Sequence, residues 1–263
     1  MPLTDLELEQ LREAKRLLES PSLAARLTDL LGKPIEMSIE MLPERAVQSI
    51  HEIVRSALVR AQDLALTTID PSRARVPSNR LHKWMTAATG AVGGLFGMAG
   101  LAVELPVTTV IMLRSIADIA RGEGHDLSRP KVRLACLEVF ALGGRSQADD
   151  AAETGYYAIR AGLAKLVSDA AQHMAQRGVA RGSGPALVKL LERIAARFGL
   201  VVEEKVALEM IPAIGAISGA LVNTLFMDHF QNVARGHFVI KRLEAQHGLE
   251  TVRNAYRNVT VMS

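Results

Sequence analysis

Five ionisable residues stand among apolar neighbours, where a charge either does chemistry or ties structure together. Glu104 ends a run of 19 residues without a charge, 85–103. Arg114 and Asp118 follow in the same apolar region, four residues apart and within pairing reach on a helix. Glu138 lies inside Leu-Ala-Cys-Leu-Glu-Val-Phe-Ala-Leu, 134–142, and Arg145 stands just beyond that segment. An unpaired buried carboxylate protonates or destabilises the fold, so Glu104 and Glu138 need partners from elsewhere, with Arg114 or Arg145 the candidates for Glu104. As a polar site between helices, the cluster would act on a proton, an ion or a head group. As a structural ion-pair network it would fix helix register.

Other chemistries find little support. His229 and His237 are eight residues apart, about 80° around one helix, and without further ligands they read as a solvated face or a helix-end set, so no metal is expected. Cys136, the single cysteine, lies between Leu134, Ala135 and Leu137 and reads as a small buried hydrophobe. Gly122-Glu-Gly124 and Gly182-Ser-Gly184 lack the continuation of a phosphate loop, and no serine has the setting of a nucleophile elbow. No cofactor is expected. Aromatic residues are 4% of the chain, and 31 basic against 28 acidic residues leave a net charge of +3. That combination offers neither stacking platform nor basic stripe, and nucleic acid is not an expected partner.

The elements that must position these groups are helices. Thr4 and Glu7 form a capping box, with Leu11, Ala14 and Leu18 on one stripe. Pro43 opens a long helix with Val47, Ile50, Val54, Ala57, Ala61 and Leu64 at steps of three and four. Residues 70–79, with two prolines, read as a linker. Further helices are expected at 128–142, 146–176 and 184–198, capped by Ser128, Ser146 and Ser183 and stopped by Gly143, Gly178 and Gly199. No strand pattern stands out. The expected layout is an all-α protein: an N-terminal helical arm, 1–78, a helical bundle, 79–250, and a C-terminal tail, 251–263.

Two uncharged runs, 85–103 and 210–227, set the character of the bundle. Gly90/Gly94, Gly93/Gly97 and Gly215/Gly219 are spaced one helical turn apart, which opens a groove for a second helix backbone. Pro106, two residues after Glu104, predicts a break, so that a helical hairpin is expected with Glu104 at its bend. Arg75, Arg80, Lys83 and Trp84 gather just before the first run, as interfacial anchors do on the cytoplasmic side of a membrane. Length alone leaves two readings open, core helices of a soluble or peripheral protein and direct bilayer insertion. Residues 1–20 carry charges throughout, so a cytoplasmic start is expected.

Several ordered motifs carry a resemblance: Gly-Leu-Ala-Val-Glu-Leu-Pro-Val-Thr-Thr at 100–109, Leu-Arg-Ser-Ile-Ala-Asp-Ile-Ala-Arg at 113–121, Cys-Leu-Glu-Val-Phe-Ala-Leu-Gly-Gly-Arg-Ser at 136–146, Ile-Pro-Ala-Ile-Gly-Ala at 211–216 and Ala-Arg-Gly-His-Phe at 234–238. Over about 44–248 the chain resembles the EcsC family. The resemblance implies a bacterial, intracellular, mostly helical protein whose family takes its name from an operon that also encodes an ABC transporter. It supplies no catalytic residues. Two function classes follow. One is a non-enzymatic, membrane-associated accessory protein with a lipid surface or a transporter protein as partner. The other is a soluble hydrolase, or a small-molecule or lipid-binding protein, that uses the buried carboxylates.

Overall fold

The computed structural model describes residues 2–19, 42–68, 97–144, 155–177, 184–209 and 219–260. Gly90, Gly93, Gly94, Gly215, Arg75, Arg80, Lys83, Trp84, Arg145 and the linker expected at 70–79 lie outside them. Among the described residues all regular structure is helical: α1 (Asp5–Leu18), α2 (Glu44–Thr68), α3 (Gly97–Gly122), α4 (Pro130–Leu142), α5 (Gly155–Arg177), α6 (Pro185–Glu209), α7 (Gly219–His247) and α8 (Leu249–Asn258). Gly97 and Gly219, expected as packing glycines, are the first residues of α3 and α7.

α4 is the centre. Every residue from Leu134 to Leu142 is buried, the signature of a helix surrounded on all sides. It packs against α3, α5, α6 and α7, while α2 lies across α3 and α6. The few aromatic residues gather around it. Phe140 of α4, Phe198 of α6 and Phe226 and Phe230 of α7 form one cluster with ring centroids 4.8–6.0 Å apart. All three tyrosines, Tyr156, Tyr157 and Tyr256, form a second.

Both chain ends join this core. The capping box of α1 forms as expected, Thr4 and Glu7 each bonding the other's backbone, and α1 packs along α7 and α8. The segment expected as a C-terminal tail contains most of α8, which buries Val252 and Tyr256. Lys15 Nζ of α1 donates to the carbonyls of Tyr256 and Val259 at 3.0 and 2.9 Å, so a cation satisfies the open C-terminal end of α8.

Three local expectations change. Pro106 does not break the chain: α3 runs straight through it. The carbonyl left without a donor is that of Ala102, on the exposed face, where water serves in place of the lost hydrogen bond. Ser128 is not the N-cap of α4; Arg129 is, held extended by Pro130 at the first helical position. Gly199 does not stop α6, which continues to Glu209. A Cβ at Gly199 would lie 2.9 Å from the His51 ring, so the missing side chain admits α2 against α6 and places His51 Nε2 2.9 Å from Glu203.

Two glycines in helix interiors separate packing from propensity. A Cβ at Gly236 would meet the Ala14 carbonyl at 2.8 Å, whereas one at Gly162 would meet nothing within 4 Å. Gly162→Ala should stabilise the protein by about 0.5–1 kcal/mol, and Gly236→Ala should destabilise it by forcing α1 away from α7. Denaturant unfolding of the two variants checks this. Equal shifts of the same sign would contradict the packing described.

Candidate functional site

The five sequence-selected charges are not one cluster. Glu104 is 5% exposed on α3, and its Oε1 accepts from Lys205 Nζ of α6 at 2.8 Å and from Asn223 Nδ2 of α7 at 2.7 Å. It sits within a continuous helix rather than at a bend, and its basic partner is Lys205. Arg114 is exposed on α3, and Asp118 pairs with Arg121 at 3.0 Å. Lys205 is fully buried and also reaches Glu209 Oε1, one turn along α6, at 3.0 Å. Burial raises the Glu209 carboxyl above its usual range while Lys205 pulls it back. One ammonium between two carboxylates, with an amide as further donor, ties α3, α6 and α7 together.

Glu138 belongs to a different place. It is 5% exposed and points into a cleft of about 380 Å³ walled by α4, α5, α7 and α8. Behind it a relay of polar groups crosses the core. Arg160 of α5 grips Glu244 of α7 with two bonds of 2.7 and 2.8 Å, and its Nη1 also donates to Tyr156 Oη at 3.1 Å. Tyr156 Oη is 3.0 Å from His237 Nδ1. Since that hydroxyl receives from Arg160, its own proton is free for Nδ1, which leaves the His237 proton on Nε2. Nε2 faces Glu138 Oε2 at 3.9 Å, too far for a direct hydrogen bond.

His229 and His237, expected on a solvated face or as a helix-end set, are both buried. His229 Nε2 is 2.8 Å from the Gly143 carbonyl, so it serves the C-terminal end of α4. Such positions are reached because α7 is buried on several faces at once, which eight-residue spacing does not reveal. Cys136 is buried as expected, and burial pushes its thiol up to about 12, so it is inert at neutral pH. No group of metal-ligating side chains occurs among the described residues.

Sequence reasoning missed Lys205, Asn223, Arg160 and Lys241. Lys205 carried a faint signal, a lone cation between Val-Val-Glu-Glu and Val-Ala-Leu. Asn223 carried another, as the amide in an uncharged run. Their pairing across more than a hundred residues carried none.

Burial holds His237 well below the ordinary histidine range, with the positive charges of Lys241 and Arg160 adding to the effect. The unfolded chain therefore takes up a proton near pH 6.5 that the folded protein refuses. Stability from this group is full above that pH and is lost as pH falls; His125, lowered mainly by burial, adds a share. Tm should drop between about pH 7 and about pH 5, and His237→Gln should flatten the slope. The same slope in both proteins would contradict a neutral buried imidazole.

Residues 5–243 match the EcsC protein family. No curated protein and no solved structure matches the chain. The match covers most of the 263 residues, including α1 and every group of both polar clusters except Glu244 and the α8 wall of the cleft. The chain belongs to the EcsC family.

Proposed function

We propose that this is a non-enzymatic accessory protein that works at the cytoplasmic face of a bacterial membrane, in keeping with the transporter operon behind the family name. The observation that carries the reading is an apolar ridge on α3. Val103 is 74% and Val107 46% exposed, one turn apart, with half-buried Val110 continuing the ridge toward exposed Arg114. α3 contains the one segment among the described residues, Gly100–Gly122, long and apolar enough to cross a membrane, yet 67% of its hydropathic window is buried inside the protein. A helix so occupied by its own core offers an edge to a bilayer rather than a span. Arg75, Arg80, Lys83 and Trp84 precede it in sequence with the composition of an interfacial anchor.

The non-enzymatic part rests on the state of the reactive groups. Burial raises both the Cys136 thiol and the Tyr157 phenol, which holds them neutral and away from nucleophilic use. Glu104, the sharpest buried charge, is already paired with Lys205.

Sedimentation with phosphatidylcholine vesicles containing phosphatidylglycerol tests the reading. Val103→Glu with Val107→Glu should abolish binding and leave Tm nearly unchanged, as exposed substitutions cost within about 0.5 kcal/mol. Replacing Arg75, Arg80 and Lys83 by Gln should weaken binding at low salt by about 1 kcal/mol per residue. A parent protein that stays in the supernatant, or variants that sediment like it, would overturn the proposal.

A further inference from the structure

The cleft beside Glu138 has a charge pattern that the fold does not use. Its walls carry Lys131, Arg160, Lys241 and Arg253 against one carboxylate of their own, Glu138. Arg160 is spent, because Glu244 takes both of its terminal nitrogens. The other three are not. Lys241, half-buried on α7, makes no hydrogen bond and no ion pair within 4 Å among the described residues. Arg253 of α8 leaves its Nε without a hydrogen-bond partner, and its contact to the mostly exposed Glu250 is 3.7 Å long. Lys131 stands at the exposed rim.

Two further groups, Glu138 at the floor and His237 behind it, lack hydrogen bonds at the facing atoms. Glu138 makes no hydrogen bond among the described residues, and the buried His237 Nε2 makes none either. Leaving a buried polar group unsatisfied costs about 1–3 kcal/mol. Burial works against the charge of both Glu138 and Lys241, raising the Glu138 carboxyl and lowering the Lys241 ammonium, with each partly restoring the other. A bound anion beside Lys241 and a hydroxyl beside Glu138 would relieve these costs together. The α5 wall helps: Ala158, Ala161 and Ala164 follow at steps of three along the cleft, where larger side chains would fill it. About 380 Å³ is at the small end of ligand pockets, which span about 300–1,000 Å³, and suits a single head-group-sized molecule.

We propose that this cleft binds a hydroxylated phosphate ester, its phosphate held by Lys241 and Arg253 with Lys131 at the rim, and a hydroxyl seated on Glu138. Glycerol phosphate, free or as the head group of phosphatidylglycerol, has that chemistry. Three cations facing one carboxylate favour a phosphate, doubly charged in the free monoester and singly charged but with two unesterified oxygens in the lipid diester, and the unpaired floor acid favours a hydroxyl beside it. The site is on other helices than the α3 ridge and does not depend on the membrane reading.

Calorimetric titration of the full chain with glycerol 3-phosphate, inorganic phosphate, glycerate and glycerol tests it, alongside phosphatidylglycerol vesicles. Glycerol 3-phosphate should saturate one site, bind more tightly than inorganic phosphate or glycerate, and raise Tm, while glycerol should not bind. Lys241→Gln and Arg253→Gln should each weaken binding at least about tenfold, the loss of one charge-assisted contact. Lys131→Gln, at the exposed rim and without consequence for folding, should weaken it less but measurably. Glu138→Gln should narrow the preference for glycerol 3-phosphate over inorganic phosphate. Saturation by the free ester assigns a soluble ligand. Vesicle binding sensitive to Lys241→Gln, without free-ester binding, assigns the lipid head group. No saturable binding of any phosphate probe, free or lipid, would overturn the proposal; so would glycerate binding as tightly as glycerol 3-phosphate, or all three cation variants binding like the parent. Failure here leaves the α3 ridge untouched, and failure of the Val103 and Val107 variants leaves the cleft untouched.

Discussion

A lysine ammonium with no access to water must be met by carboxylates, and that requirement decides how α3, α6 and α7 lie against one another. Lys205 supplies the charge from α6, Glu104 answers from α3, Asn223 adds a donor from α7 and Glu209 closes the group from one turn further along α6. Rotating any of these helices by one residue turns its group about 100° away from the others. The apolar contacts around the tie are permissive by comparison: Phe226, whose ring centroid is 5.9 Å from Lys205 Nζ, packs with Phe198 and Phe230 alike. Hydrophobic burial supplies most of the driving force for such a bundle, and the buried ion pair restricts which packing is reached.

A second tie has a different character. Arg160 and Glu244 clamp α5 to α7 at the edge of the core, and Tyr156 and His237 carry the polar chain inward to Glu138. In the Lys205 group the one ammonium lies within 3.0 Å of both carboxylates. This relay ends open, at a carboxyl and an imidazole nitrogen without hydrogen bonds, and it ends at a cleft. That contrast separates a network that holds the fold from one with capacity left over. It explains why the carboxylate that looked sharpest in the sequence, Glu104, is the structural one, while Glu138 faces the space a ligand could fill.

Much of the architecture was legible in the residues because it is local. The capping box of Thr4 and Glu7, the stripe through Ile50, Val54 and Ala57, and the apolar segment around Cys136 all form as their spacing requires. The misreadings came where tertiary packing outweighed a local rule. Pro106 ends helices in solution, but here the unpaired Ala102 carbonyl faces outward and the break costs little. Gly199 looked like a stop and is instead the seat for His51. The histidines of α7 looked solvated because one helix shows only its own periodicity, and the sides it buries depend on which helices surround it. Pairings such as Glu104 with Lys205, 101 positions apart, leave no mark in a single sequence.

The claim that the Lys205 group is the structural keystone is tested most directly by a double-mutant cycle between Lys205 and Glu104, read as unfolding free energy in denaturant. Lys205→Met alone strands both carboxylates and should cost about 3–5 kcal/mol, and Glu104→Met alone, which leaves Lys205 with Glu209, should cost less but still more than about 1 kcal/mol. The double variant should lose less than the sum, because Glu104 is then no longer left buried without its cation, although Glu209 still loses Lys205. Additive losses, or singles that each cost less than about 1 kcal/mol as exposed pairs do, would contradict the account and place the organising constraint elsewhere in the bundle.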